Sequence, residues 1–305
     1  MTRGNRCGHC PGSHTGERPC LASATEKARS WLLVEHPGPW PERVEDLTGP
    51  APVVAAMRAA LRAGVRPQLI RRSGRRRATP PVQVYAAHSY GSDAWVEERE
   101  LADPAELAGL DLDALAAGRS PGLGERRSGP VLLVCTHGRR NVCCARTGAP
   151  LARALTARFG RMVWETTHVG GDRFAANLVC LPHAVYYGDL GEDEAVRAAS
   201  AYLRDEVVLD RLRGRAGTPE PAQAAEHFVR AHTGRLGLDE VVVRSLSSPV
   251  SGTSRYEAVV QVLEKSYRVV VESVQQSAPC GPECDENLRT YLVREITLLN
   301  EAALV

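Results

Sequence analysis

Residues 131–190 read VLLVCTHGRRNVCCARTGAPLARALTARFGRMVWETTHVGGDRFAANLVCLPHAVYYGDL, and the interpretation of the rest of the chain follows from this stretch. An apolar run over 131–134 ends at Cys135, a polar and basic loop follows, and Cys143 and Cys144 stand directly before a helical pattern over 150–158. Thiols therefore fall where a strand hands over to a helix. Farther on, Val163, Trp164 and Glu165 lead into His168-Val-Gly-Gly-Asp172, a second short loop with two potential ligands four residues apart. Gly170 and Gly171 between them allow the backbone to take positive φ and to approach a ligand closely. Two loops leaving one sheet edge can then converge on one metal centre.

Outward from this stretch the pattern repeats. Upstream, a strand at 31–35, a proline-rich turn at 36–40, a helix at 51–63, strands at 67–71, 82–87 and 95–100 and a helix at 104–117 give the order β-α-β-β-β-α. The same order follows about one hundred residues later, with a strand at 131–134, the helix at 150–158, a strand at 162–165, a strand pair at 178–181 and 185–187 and a helix at 193–203. Leu32-Leu33-Val34 and Leu132-Leu133-Val134 match, each with a glycine in the turn beyond, Gly38 and Gly138. The expectation is an α/β protein built from two degenerate tandem thioredoxin-like units. The first copy has no cysteine between Cys20 and Cys135, so only the second can build a thiolate site. Beyond 203 the chain reads as charged and helical to about 232, then as antiparallel strands at 240–245, 256–263 and 267–274, with a closing helix at 288–299. The expected organisation is an N-terminal arm (1–24), a first unit (25–119), a Gly/Pro/Arg-rich linker (120–130), a second unit (131–220) and a small C-terminal α+β domain (221–305).

The bulk composition excludes some classes of function. With 305 residues and 43% hydrophobic content the chain can bury a substantial core, and 38 basic against 36 acidic residues give it a formal charge of +2. There is no global attraction to nucleic acid or to an anionic membrane. No basic-then-apolar leader opens the chain and no apolar run of eighteen residues occurs, so the expectation is a cytoplasmic protein with no membrane contact. Arg71, Arg72, Arg75, Arg76 and Arg77 form a basic run, read as a solvated loop or a docking patch for an acidic protein, with no nucleic-acid partner expected. Nine cysteines in a reducing compartment favour metal or redox chemistry over a disulfide framework. Cys7 and Cys10 form a C-x-x-C that could hold zinc with His14 and Cys20, or be free thiols in an arm. Cys280 and Cys284 could bind metal, pair reversibly or be incidental.

Iron–sulfur clusters need thiolates, with imidazole able to substitute at one iron, on short loops that aim the ligands inward. The central stretch supplies Cys135 and Cys144 around an eight-residue loop, Cys143 as a spare thiol, and His168 and Asp172 on either side of Gly170 and Gly171. Read singly, Cys135 is a small core residue and His168 a satisfied loop histidine. Their shared placement at neighbouring strand ends favours a common site. Cys180, inside a strand, belongs to the core.

These residues carry a resemblance. The segments CTHGRRNVCCARTGAPLARAL and WETTHVGGDRFAANLVCLPHAVYYG, with WLLVEHPGPW at 31–40, resemble the sucrase/ferredoxin-like family, whose members look like thioredoxin-like 2Fe–2S ferredoxins. The resemblance implies a 2Fe–2S cluster with the first cysteine pair at Cys135 and Cys144, and either Cys143 or Cys144 can be the coordinating thiol of the adjacent two. It implies two histidines in an H-V-G-G-H pattern as the remaining ligands, the first at His168. This chain departs from the pattern twice: Asp172 stands at the second histidine position, and Asn141 stands where an aspartate is usual.

The leading expectation is an electron-transfer protein rather than a catalyst, with no catalytic residues assigned and an unknown redox partner protein. One competing reading is a thiol oxidoreductase using Cys143 or Cys144, activated by a helix N-terminus and by Arg139, Arg140 and Arg146. Another is a cluster-free interaction module with zinc or nothing at the site. No G-x-G-x-x-G opens a helix, so neither flavin nor nicotinamide is expected, and no carboxylate pair stands in a recognisable glycosidase setting.

Overall fold

A computed structural model of the chain describes residues 20–74, 81–91, 93–247, 253–276 and 288–300. Strand β1 (Ser30–Glu35) is buried along its whole length, as its unbroken apolar text requires of a central strand. Helix α1 (Ala51–Arg62), with proline in its first turn, returns the chain to β2 (Arg66–Arg71), which lies parallel to β1. On the other side of β1 run β3 (Val82–His88), then β4 (Trp95–Leu101). After a 3-10 turn at Pro104–Gly109, helix α2 (Leu112–Ala116) leads to the edge strand β5 (Glu125–Arg126). Its connection also buries Leu123.

The second half follows the same course. Strand β6 (Val131–Cys135) leads through α3 (Val142–Phe159) to β7 (Val163–Thr166), parallel to β6. Strands β8 (Leu178–Leu181) and β9 (Val185–Tyr187) follow antiparallel, and α4 (Glu192–Tyr202) crosses to β10 (Leu212–Arg215). All ten strands form one sheet, β10-β9-β8-β6-β7-β2-β1-β3-β4-β5. The order β2-β1-β3-β4-β5 is that of β7-β6-β8-β9-β10, and the two halves meet where β2 pairs antiparallel with β7. A 2.8 Å ion pair between Arg71 and the buried Glu165 joins the same two strands.

Alternation along the central strands divides the core. Leu33, Leu133, Cys135 and Trp164 share one apolar cluster with Trp31 and Tyr85 from the first half. Leu132 and Val134 point the other way, into a cluster with Leu151, Leu155 and Tyr202 of α3 and α4. Leu32 and Val34 meet Met57 of α1 in the equivalent cluster of the first half.

Helix α5 (Glu220–Thr233) packs on a separate antiparallel sheet of β11 (Val241–Leu246), β12 (Arg255–Val262), β13 (Lys265–Gln276) and β14 (Leu288–Leu299). Its core gathers Phe228, Val229, Val260, Val269 and Tyr291 with Cys20 and Ala22 from the start of the described chain.

Four local expectations are corrected. Residues 288–299 are strand, not helix: the Leu288, Tyr291 and Leu292 spacing imitates a helical stripe, but β14 pairs with β13 along its whole length. The helix expected at 104–117 is broken where Asp111 caps a new helix by accepting from Ala114 N. The stretch expected to be helical to about 232 contains β10, whose Leu-Arg-Gly-Arg text gives no apolar signal. Helix α3 begins at Val142, well before Pro150, so Cys143 and Cys144 lie inside its first turn. Cys7, Cys10, Cys280, Cys284, Arg75, Arg76 and Arg77 lie outside the described residues. Among the described residues no helix is long and apolar enough to cross a membrane.

Candidate metal centre

Cys135 is the last residue of β6 and stands in register with Thr166, the last residue of the parallel β7. The chain therefore leaves both strands at the same end of the sheet, and the loop carrying His168 starts beside the loop that returns to Cys144. The Cys135 backbone is fixed by donation from its N–H to Asn177 O at 3.1 Å. Asn141 caps α3, its side-chain oxygen accepting from Cys143 N at 2.9 Å, which sets the helix start that presents Cys144. One turn on, Gly148 lets α3 lie directly on the strand. A Cβ there would sit 2.0 Å from Cys135 O.

These elements bring together Cys135, Cys144 and His168, whose ligand atoms all lie within 4.8 Å of one another. Both thiols are buried and His168 is half-buried. His168 Nδ1 is buried with no hydrogen-bond partner. A buried ring nitrogen without a partner is costly unless something else takes up its lone pair or proton. Two sulfurs and an imidazole are the donor set of a thiophilic metal, so the residues fit such a group. Cys144 donates a hydrogen bond that, with help from His168, holds the Cys135 thiol well below its ordinary range despite burial. The same bond, together with burial, pushes Cys144 up.

The His168 backbone is held from the first loop. Its N–H donates to His137 Nδ1 at 3.1 Å, and His137 Nε2 lies 2.7 Å from Pro41 O. This pairing assigns the neutral Nε2–H tautomer to His137, and burial lowers its pKa in the same sense. Beyond His168, Gly170 (φ 96°) and Gly171 (φ 70°) turn the chain so that Asp172 comes back toward the helix start. There Asn141 Nδ2 donates to Asp172 Oδ2 at 2.6 Å. The two positions at which this chain departs from the resembled pattern are therefore hydrogen-bonded to each other. An amide donor thus stands opposite a carboxylate.

Of the residues expected at the site, Cys135, Cys144 and His168 converge. Asp172 reaches Asn141 but is outside that group of three, and Cys143 is buried and likewise outside it. Gly170 and Gly171 form the turn between His168 and Asp172. Cys180 lies in the helix-covered cluster, where burial pushes its thiol up. Sequence reasoning did not find His137, Asn177 or Arg213. Asn177 Nδ2 donates to Gly171 O at 2.9 Å, and Arg213 donates to Gly170 O at 3.1 Å. The one signal available for His137 was its place in Thr-His-Gly, two residues after Cys135.

No curated protein and no solved structure matches the chain. The sequence model of the sucrase/ferredoxin-like family matches residues 21–214, which take in the site and nearly all of the ten-stranded sheet, and the chain belongs to that family.

Proposed function

We propose that this protein is an electron carrier holding one 2Fe–2S cluster, with Cys135 and Cys144 on one iron and His168 with Asp172 on the other. The reading rests on the convergence of two buried thiols and a half-buried imidazole, one of whose ring nitrogens has no hydrogen-bond partner, at one end of the central strands. Asp172, turned back by Gly170 and Gly171, is the remaining donor on the same loop. Such a cluster accepts and returns a single electron, and substrate chemistry is not required of the protein. The chain supplies the setting. Asn141 and the first turn of α3 orient Cys144, His137 fixes the backbone of His168, and the apolar cluster around Leu133, Trp164 and Tyr186 keeps water from the sulfurs. The repeated strand order across the β2–β7 seam supports two thioredoxin-like units in tandem, only the second of which carries ligands. On that reading 25–119 and 131–220 are the units and 221–305 is an accessory α+β domain.

A second reading has its own support. Ligands on a single tetrahedral ion lie about 3.5 Å apart, given metal–ligand bonds of about 2.0–2.3 Å. The mutual spacing within 4.8 Å is close to that arrangement, so a single zinc or iron ion on three protein ligands is the alternative. Protein purified without oxygen separates the two: a cluster gives a coloured protein that bleaches reversibly on reduction, and a colourless protein containing zinc supports the single ion.

A further inference from the structure

Arg213, in β10, is 1% exposed and sits directly beneath the metal-site loop. Its Nη1 donates to Gly170 O at 3.1 Å and to Asn177 Oδ1 at 2.6 Å. Its Nε donates to Ser23 Oγ at 3.1 Å, and its Nη2 to Ser23 O at 2.6 Å. Phe174 and Tyr186 flank the guanidinium, with ring centroids 4.9 and 5.5 Å from Cζ. The space is shaped for it: a Cβ on Gly171 would come within 2.2 Å of Nη2, and one on Gly188 within 2.6 Å of Cδ.

Every hydrogen-bond acceptor named here is neutral. Glu220 and Asp172 attract the guanidinium and Arg173 repels it, but among the described residues no carboxylate forms an ion pair with it. Burial lowers its pKa to about 10, which leaves it a cation at neutral pH. A buried charge without a counter-charge is strongly unfavourable. The other fully buried arginine among the described residues shows the contrast, since Arg230 is met by Glu226 at 2.9 Å.

We propose that Arg213 is the positioning and charge-compensating residue of the metal site, its counter-charge being the anionic centre that Cys135, Cys144, His168 and Asp172 hold. This rests on the 2Fe–2S reading above and deepens it. Two thiolates and an aspartate outweigh the positive charge of the oxidised cluster core, so the centre is a net anion and gains a further negative charge on reduction. A zinc ion on two thiolates and an imidazole is neutral and gives Arg213 nothing to balance. The guanidinium serves geometry as well, because Arg213 and Asn177 together hold the carbonyls of Gly170 and Gly171, the turn that separates His168 from Asp172. Asn177 O in turn accepts from Cys135 N, so one small network touches both ligand loops.

The test uses the full chain reconstituted with iron and sulfide, and reads the reduction potential together with the iron and sulfide retained after one reduction and desalting. Arg213→Gln is expected to shift the potential to more negative values and to lose more cluster than wild type, because the reduced anion has lost its cation. Arg213→Lys, which keeps the charge and gives up the fork, is expected to stay near the wild-type potential. Equal shifts in both variants would assign Arg213 to geometry alone and overturn charge compensation; no shift in either would overturn both roles. If Arg213→Gln does not fold, Asn177→Asp replaces it. That variant places a carboxylate against the guanidinium and is expected to lower the potential, and an unmoved potential there overturns the proposal. If wild type itself takes up no sulfide, it is the 2Fe–2S reading that fails.

Discussion

Replacing Gly148 by alanine should destabilise the protein, although the same change in an ordinary helix stabilises it. At an unremarkable helical site alanine gains about 1 kcal/mol over glycine. Here the new Cβ would lie 2.0 Å from Cys135 O and 3.0 Å from Cys135 C. That is about 1.4 Å short of ordinary van der Waals contact, and the obstacle is the backbone of a central strand, which cannot rotate away. Forcing a methyl into a packed contact of this kind costs about 1–3 kcal/mol. Because helix and strand must both give way, the upper part of that range applies, and the net expectation is a loss of about 1–2 kcal/mol. The displacement moves Cys144 away from Cys135, so affinity for metal should fall by at least about tenfold, each factor of ten corresponding to about 1.4 kcal/mol. Urea unfolding of the metal-free protein followed by tryptophan fluorescence measures the first effect, and competition against a chromophoric chelator measures the second. Gly109→Ala, at an exposed position with open space around it, is the control and should be neutral. A Gly148→Ala protein as stable as wild type, binding metal equally well, would refute the close packing of α3 on Cys135.

Three further outcomes are expected. Cys135→Ala and Cys144→Ala should each abolish metal binding, while Cys180→Ala, in the opposite cluster, should leave it intact; metal content after dialysis decides. Asp172→His should raise the reduction potential of the reconstituted protein, since imidazole replaces an anionic ligand, and voltammetry that finds no change would remove Asp172 from the ligand set. Burial lowers the pKa of His36, His88 and His183 below 6.5. As pH falls below about 6.5 the unfolded chain takes up these protons while the folded chain resists them, so the unfolded state binds more protons and stability declines. Urea midpoints from pH 7.5 down to 5 should therefore fall, less steeply in His183→Gln, and a flat or rising series would contradict the assignment.

Much of this architecture was written plainly in the chain. Leu32-Leu33-Val34 and Leu132-Leu133-Val134 are central strands of equivalent place, and their alternation is what divides the core. Cys135, Cys144 and His168 were legible because strand ends and glycine turns mark where side chains can meet. The start of α3 was not. Pro150 resembles a helix opening, and Asn141 reveals itself as a cap only once its oxygen is seen to accept from Cys143 N. Strand β14 was misread because alternate strand faces in a small, partly exposed sheet need not be strictly apolar and polar. Arg213 was invisible for a more basic reason. Its role depends on being buried, and Leu-Arg-Gly-Arg reads as surface until Ser23, Gly170 and Asn177 are found around it. The partnership of Asn141 with Asp172 likewise joins two residues thirty-one positions apart that a linear reading treats as separate departures.

The most direct test of the account is the iron and acid-labile sulfide content of the full chain purified without oxygen. A 2Fe–2S cluster on Cys135, Cys144, His168 and Asp172 predicts about two irons and two sulfides per chain, both lost in Cys144→Ala. Zinc or a single iron without sulfide, retained in wild type and lost in the same variant, would contradict the cluster while leaving the three-residue metal site in place.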